Sequence, residues 1–239
     1  SLAGPGDTRV SYVEDLYRGM TSALSSFGAV IVGGDTTRTS QRIVLDVMII
    51  GEAVGNRFLR RRGALPGDLL AVTGTLGQSS AGLYAIEHGH AEPALVEAHA
   101  RPRPRVLEGQ WLCTNPAVHA MIDISDGLAQ DAGHIAYASE LGVNILSKNL
   151  PIADPLAQYC RENSLDLLPF VLCGGEDYEL AFAVSPVEVN AILEAFANEF
   201  STPLTLIGEF TDEWNGVRLD GEPYSALGFD HFRTPTCDD

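Results

Sequence analysis

Apolar positions recur along the chain with two different spacings, which predict helices and strands in alternation. Apolar residues return every three or four positions over residues 11–27, 127–141 and 186–200, a spacing typical of amphipathic helices. Short apolar or β-branched runs that predict strands lie at residues 29–32, 42–54, 69–73, 121–123, 170–173, 178–184, 204–210 and 216–219. The alternation predicts a mixed α/β fold.

The run Met-Ile-Asp-Ile-Ser-Asp-Gly-Leu at residues 121–128 carries the strongest chemical signal. Its apolar strand leads into Asp123, Ser125 and Asp126, and a helix follows at once. Two carboxylates this close repel each other unless a positive charge lies near them. Magnesium carrying nucleotide phosphates would supply that charge, because it binds a few carboxylates and fills its shell with water and phosphate. A helix start capped by Ser125 or Asp126 explains the motif equally well.

Two further acidic turns favour the metal interpretation. Gly-Gly-Asp-Thr-Thr-Arg at residues 33–38 and Gly-Gly-Glu-Asp-Tyr-Glu-Leu at residues 174–180 both place a glycine pair and an acid after an apolar run. Glycine allows the backbone to approach a ligand closely, although ordinary turns use the same freedom. The three acidic turns together predict a metal-assisted phosphate site.

Charge and cysteine content narrow the class of partner. The net charge of −17 leaves no basic stripe for nucleic acid and disfavours an anionic membrane surface. A phosphate substrate would then need a divalent cation to offset the charge. The four cysteines are scattered without a Cys-x-x-Cys pair, which argues against zinc and favours free thiols in a reducing cytoplasm. The chain contains no run of about 20 apolar residues that would predict a transmembrane helix.

Three other segments have a structural and a functional interpretation. The cluster formed by Arg57 and residues 60–62 holds the densest positive charge, and charge alone favours a solvated linker face. Residues 74–80 open a helix whose N-terminus could hold an anion, although a tight strand–helix connection is favoured. Residues 101–105, Arg-Pro-Arg-Pro-Arg, predict a rigid, extended connector.

A change of pattern around residues 55–63 predicts two domains, over residues 1–60 and 61–239. One helix and two strands in the first domain are too few to form a sheet with its own core. We therefore expect this part to be a fragment of a domain or to be completed by a partner.

The three acidic turns, in this order, resemble those of the thiamine-monophosphate kinase family. Further matches lie at residues 73–77, 101–105 and 228–232, so the resemblance extends over essentially the whole chain. It implies the aminoimidazole-ribonucleotide-synthetase-like two-domain α/β fold, with an incomplete N-terminal domain, and a homodimer. It also implies phosphoryl transfer from ATP, with Mg²⁺, to thiamine monophosphate.

The resemblance also implies roles for particular residues. The implied ATP contacts are Tyr17, Gly34, Asp35, Arg61 and Ser125. For Arg61, this role replaces the interpretation as part of a solvated linker face. The implied magnesium ligands are Asp35, Asp123 and Asp126, and the implied thiamine monophosphate contacts are Glu176 and Phe229. A carboxylate and an aromatic face suit the cationic rings of thiamine. The sequence shows no evident nucleophile–base pair, so we expect direct in-line transfer.

The chain also departs from the family pattern. It begins after the family's Gly-Asp-Asp metal motif and histidine-bearing substrate segment, so we expect little kinase activity from this polypeptide alone and an exposed apolar surface. One alternative is another ATP-using enzyme of this fold, such as selenophosphate synthetase or the hydrogenase-maturation dehydratase. Cys237 of this chain distantly resembles the terminal thiol of that dehydratase. The other alternative is a non-catalytic protein that binds a nucleotide or a partner.

Overall fold

The computed structural model describes residues 1–53, 55, 57–90 and 92–225. The chain forms two compact units, Ser1–Ala53 and Val54–Asp239. The division lies N-terminal to the predicted boundary between residues 60 and 61. None of the helices in the described part combines the length and hydrophobicity that crossing a membrane requires.

The first unit holds one helix and a small sheet. Helix α1 (Val10–Ser25) follows strand β1 (Leu2–Gly4), and β2 (Thr36–Arg38) and β3 (Val44–Leu45) complete the sheet in the order β2-β1-β3. Strand β1 pairs in parallel with β2 and antiparallel with β3. The predicted strand over residues 29–32 is wrong, and that over residues 42–54 is reduced to β3. These runs have the composition of strands, but in this unit no neighbouring strand satisfies their backbone groups.

The first unit leaves most of its apolar side chains exposed, as predicted. No residue of α1 is buried, although the helix is amphipathic. Val32, Met48, Ile49 and Ile50 are each exposed over more than 80% of their surface. Exposed apolar area of this kind on a compact unit is typical of a surface that another polypeptide covers.

The second unit is built on a seven-stranded sheet in the order β10-β9-β6-β8-β4-β7-β5. Its neighbouring strands are antiparallel except for the parallel pair β6–β9. The strands are β4 (Leu69–Thr73), β5 (Val118–Asp123), β6 (Gly142–Ile145), β7 (Leu180–Val184), β8 (Leu204–Thr211), β9 (Gly216–Leu219) and β10 (Glu222–Pro223). The helices are α2 (Gln78–Glu87), α3 (Pro93–Ala100), α4 (Val106–Thr114), α5 (Leu128–Ala138), α6 (Asp154–Asn163), α7 (Leu168–Leu172) and α8 (Val189–Glu199).

The two faces of this sheet are covered by different helices. Leu70 and Val72 of β4 pack into a cluster with buried residues of α2, α5, α6 and α7. Ala71, between them, faces a second cluster that includes Leu112 of α4 and Phe196 of α8. Successive strand residues point to opposite faces, so a strand buried on both sides reads as one continuous apolar run.

One predicted strand of the second unit is a helix. The run at residues 170–173 lies mostly in α7, which buries Val171 and Leu172. Pro169 lies in the first turn of that helix, where its missing N–H costs nothing, and Gly174 follows its end. Four apolar residues do not distinguish a strand from one turn of buried helix. The strands predicted at residues 69–73 and 216–219 are confirmed to the residue.

Candidate active site

The acidic loop, residues 123–127, joins the end of β5 to the start of α5. Asp123 is exposed, and Ser125 and Asp126 are half-buried. The backbone N–H groups of Ser125 and Asp126 both donate to Oδ2 of Asp131, each at 3.0 Å. The capping interpretation is therefore wrong for Ser125 and Asp126, since α5 has no side-chain cap and Asp131 anchors the loop from within the helix. Neither side chain caps the helix, and the Asp126 carboxylate accepts one hydrogen bond, from Nε2 of Gln130 at 3.3 Å.

The buried anchor Asp131 is only 1% exposed. Its burial raises the pKa of the Asp131 carboxyl to about 6, although the two backbone hydrogen bonds act in the opposite direction. One ligand atom each of Asp126, Asp131 and His134 lies within 4.8 Å of the others. His134, for which the helical pattern favours a packed or surface role over that of a ligand, therefore lies beside the acidic loop.

The glycine-pair loop, residues 173–179, lies directly against the acidic loop. The backbone N–H of Glu176 donates to the carbonyl of Ser125, and that of Tyr178 donates to the carbonyl of Ile124, both at 2.9 Å. Ile124 in turn donates to the carbonyl of Glu179 at 2.8 Å. A Cβ at Gly175 would overlap the Ser125 carbonyl oxygen, so only glycine allows this approach. The structure thus brings Glu176 beside the loop that carries Asp123, Ser125 and Asp126.

Asp177 anchors the glycine-pair loop to α2. Its carboxylate accepts the backbone N–H groups of Gly77 at 2.7 Å and Ser79 at 3.3 Å. The favoured interpretation of residues 74–80 as a strand–helix connection is confirmed, because the anion at this helix N-terminus is the protein's own. Removal from water raises the pKa of Asp177 to about 7 despite these hydrogen bonds. The residues on either side, Glu176 and Tyr178, adopt left-handed backbone conformations with φ of 63° and 51°.

A buried ion pair supports the end of the glycine-pair loop. Arg105 donates from Nε and Nη2 to the two carboxylate oxygens of Glu179, at 2.7 and 2.6 Å. The Thr73 hydroxyl donates to the same carboxylate at 2.6 Å. The predicted structural role of the connector at residues 101–105 is therefore confirmed at Arg105.

Arg61 and Asp123 line the same cavity, of about 380 Å³. The backbone N–H of Met121 donates to the carbonyl of Arg60 at 3.0 Å, which holds the arginine segment along β5. Arg57 is not a solvated cation, because its guanidinium donates to the carbonyls of Cys113 and Val118, each at 2.7 Å. The linker interpretation of the cluster is thus wrong at Arg57, while Arg61 stays exposed beside a predicted metal ligand.

The remaining predicted residues of the described chain lie in the first unit. A Cβ at Gly34 would lie 3.8 Å from the Tyr17 hydroxyl, so these two predicted ATP contacts are neighbours. Tyr17 lines a cavity of about 530 Å³ along α1. Asp35 is exposed, and its carboxylate accepts the backbone N–H of Thr36 at 2.8 Å. Phe229, like residues 228–232 and Cys237, lies outside the described residues.

Two residues near Glu176 were not predicted as site residues. Nδ1 of His99, on α3, lies 3.6 Å from Oε2 of Glu176 and 3.1 Å from Oγ of Ser79. The expectation that no nucleophile–base pair operates stays a prediction, because the Ser79 hydroxyl in this contact belongs to a residue that is only 1% exposed. Tyr178 is the second such residue. It belongs to the glycine-pair motif at residues 174–180, but nothing in its sequence context distinguished it from the other residues of that motif.

The donor set of the acidic loop fits magnesium. Asp123 and Asp126 offer carboxylate oxygens, the ligand type that Mg²⁺ prefers, with open surface for water and phosphate. The Asp131 carboxylate is committed to two backbone N–H groups and is buried. Asp123 and Asp126 would therefore hold the ion in the second unit, while Asp131 shapes the loop.

Comparison with known proteins identifies the family. The family described as AIR synthase related protein, C-terminal domain, matches residues 66–220, and the corresponding N-terminal domain family matches residues 1–53. Thiamine-monophosphate kinase of Aquifex aeolicus is 36% identical over 97% of this chain and 72% of its own length. The enzyme of that name from Escherichia coli is 36% identical over 96% and 71%.

Solved structures agree with this assignment. The structure described as "AaThiL complexed with AMPPCP and TMP" superposes with a TM-score of 0.81 at 32% identity, covering 97% of this chain and 72% of that one. Escherichia coli HypE, a hydrogenase maturation protein, shares the fold at a TM-score of 0.70 and 23% identity. The expected α/β fold of the AIR synthase-related proteins is confirmed, and the chain belongs to the thiamine-monophosphate kinase family.

Proposed function

We propose that this protein phosphorylates thiamine monophosphate with ATP in a magnesium-dependent reaction. The observation that supports this most directly is the backbone pairing of the acidic loop with the glycine-pair loop. The pairing brings a candidate metal and nucleotide loop next to Glu176, a candidate site for a cationic substrate. A related structure described with AMPPCP and TMP supports the same pair of ligands here.

The proposed roles follow the chemistry of each side chain. Asp123 and Asp126 would hold Mg²⁺, and Arg61 beside Asp123 would bind ATP phosphates. The half-buried Ser125 hydroxyl would donate to the nucleotide. In the first unit, Tyr17, Gly34 and Asp35 would contact ATP, with Asp35 also a metal ligand. Glu176, whose side chain is 57% exposed, would bind the thiamine cation, with Phe229 as a second contact.

We propose direct in-line transfer. A phosphate oxygen of thiamine monophosphate attacks the γ-phosphorus of ATP, the bond to the β-phosphate bridging oxygen breaks, and ADP leaves with that electron pair. Bound magnesium would supply charge neutralisation on the phosphates. The Ser79–His99 contact does not provide a covalent route, because Ser79 is buried in the first turn of α2. Positioning by Arg61, Ser125 and Glu176 is then the chain's main contribution.

Calorimetric titration with AMPPCP and thiamine monophosphate, with and without Mg²⁺, tests the ligand assignments. We expect binding of AMPPCP to require Mg²⁺ and to weaken at least about tenfold in Asp126→Asn, because one charged ligand is lost. Asp212→Asn, an exposed acid in the turn after β8, is the matched control and should bind normally. An affinity for AMPPCP that is the same with and without Mg²⁺, and the same in Asp126→Asn as in wild type, would contradict the assignment.

Two further proposals concern the state of the protein. A homodimer would cover the exposed apolar side chains of the first unit, and sedimentation velocity should then show a concentration-dependent species of about twice 25.6 kDa. A monomer at all concentrations would contradict the dimer. We also propose a cytoplasmic location, in keeping with Cys113, Cys160 and Cys173, which form no disulfide within the described part of the chain.

The alternative enzymes of this fold would be separated by substrate. Thiamine monophosphate, selenide and carbamoyl donors should be compared as substrates in the presence of ATP at equal concentration, and we expect ATP consumption with thiamine monophosphate alone. Measurable ATP affinity without transfer to any acceptor would favour the non-catalytic alternative.

A further inference from the structure

Tyr178 adopts a backbone conformation that bulky residues rarely use. Its φ is 51°, in the left-handed region where a Cβ crowds the backbone. Two hydrogen bonds hold this geometry: Tyr178 N–H to the Ile124 carbonyl at 2.9 Å, and Ile124 N–H to the Glu179 carbonyl at 2.8 Å. Glycine would occupy the position without strain, so the tyrosine side chain is a cost to the local backbone.

The fold gains little from that side chain in return. Tyr178 is half-buried and belongs to neither of the two hydrophobic clusters of the second unit. Among the described residues, its hydroxyl forms no hydrogen bond. Strained residues that the core does not require are concentrated at functional sites, where the side chain serves a ligand.

The surroundings of the phenol are strongly acidic. Burial raises the pKa of Tyr178, and the negative charges of Glu176, Asp123 and Asp126 raise it further. Asp123 and Asp126 are the proposed magnesium ligands, so the negative field that would remain near the phenol in the loaded site is that of Glu176, two residues away in the same loop. The negative face of an aromatic ring adds to such a field and attracts an organic cation.

We propose that Tyr178 is a substrate-binding residue whose ring, together with Glu176, holds the cationic heteroaromatic portion of the phosphate acceptor. This inference rests on the proposed function, which supplies thiamine monophosphate as the acceptor. It predicts that the ring is needed for affinity while the hydroxyl is not.

The test compares Tyr178→Gly with a variant matched in backbone strain. Glu140 also has a left-handed φ, of 60°, but is exposed after α5, so Glu140→Gly relieves the same kind of strain away from the site. Both variants should melt at or above the wild-type temperature. Tyr178→Gly should bind thiamine monophosphate about tenfold more weakly by calorimetry, whereas Glu140→Gly should bind it normally.

Two further variants and one control ligand make the result decisive. Tyr178→Phe keeps the ring and should stay within about threefold of wild type, and Tyr178→Asn, which tolerates the left-handed conformation, should lose affinity as Tyr178→Gly does. A melting temperature lowered by both Tyr178→Gly and Tyr178→Asn would assign the side chain to the fold and overturn the inference. Weakened binding of AMPPCP with unchanged binding of thiamine monophosphate would also overturn it.

The outcome for wild type separates this inference from the proposed function. Wild-type protein that does not bind thiamine monophosphate would overturn both. Wild-type protein that binds it, with equal affinity in Tyr178→Gly, would overturn the role of Tyr178 alone.

Discussion

Removing the Arg105 guanidinium should destabilise the second unit more than any surface charge change. The guanidinium gives two hydrogen bonds of 2.7 and 2.6 Å to Glu179, a residue only 5% exposed. In Arg105→Met the buried carboxylate keeps the Thr73 hydroxyl but loses its counter-charge. Breaking a buried pair in this way costs about 3–5 kcal/mol of unfolding free energy. For a domain of this size that corresponds to a melting temperature lower by about 6–20 °C.

Urea unfolding followed by tryptophan fluorescence measures this change, because both tryptophans, Trp111 and Trp214, lie in the second unit. Arg101→Met is the matched control: its pair with Glu97 is exposed on both sides, so the loss should stay below about 0.5 kcal/mol. Neutralising the carboxylate as well, in Arg105→Met with Glu179→Gln, should recover part of the loss. A loss below about 1 kcal/mol in Arg105→Met would refute the reasoning.

Two further predictions concern the glycine-pair loop. Gly175→Ala should displace the loop from the Ser125 carbonyl and reduce the rate of single-turnover transfer by about a hundredfold. Gly19→Ala, whose new methyl group meets nothing within 4 Å, should leave that rate unchanged. Equal transfer rates in the two variants would contradict this prediction. The pKa of Asp177 is raised to about 7 in the folded protein, from a value near 4 in the unfolded chain. The stabilisation that Asp177 contributes is therefore complete below about pH 4 and is lost as the pH rises through about 7. The unfolding free energy of wild type relative to Asp177→Asn should therefore decrease between about pH 4 and about pH 7, and a constant difference in urea titrations would contradict the burial argument.

The sequence predicted most of the second unit because its elements are locally marked. The predicted bounds of strands β4 and β9 are confirmed to the residue, and β4 is an apolar run between two glycine-containing turns. Residues 170–173 were assigned to the wrong element because four buried apolar residues fit a strand and a helix equally. The strand over residues 29–32 was wrong for a different reason: a strand forms only where a neighbour accepts its hydrogen bonds.

The site was partly predictable for a similar reason. Short local motifs predicted Asp123, Asp126 and Glu176 as site residues. The hydrogen bonds between the two loops that carry these residues join positions about fifty residues apart along the chain. His99 reaches Glu176 from a helix with no chemical motif of its own. In the sequence, Asp131 has the pattern of an ordinary helix residue, and only the structure shows its two hydrogen bonds with the backbone of the acidic loop. Such long-range partners carry no local pattern.

Single-turnover transfer tests the central claim most directly. Protein in excess over [γ-³²P]ATP is mixed with Mg²⁺ and thiamine monophosphate, and both the small-molecule products and the protein are analysed for label. Because one turnover suffices, a slow rate does not obscure the result. The account predicts label in thiamine diphosphate, none on the protein, and a large loss in Asp123→Asn and Asp126→Asn. Label on the protein would contradict in-line transfer, and unlabelled thiamine products despite bound ATP would contradict the proposed kinase activity.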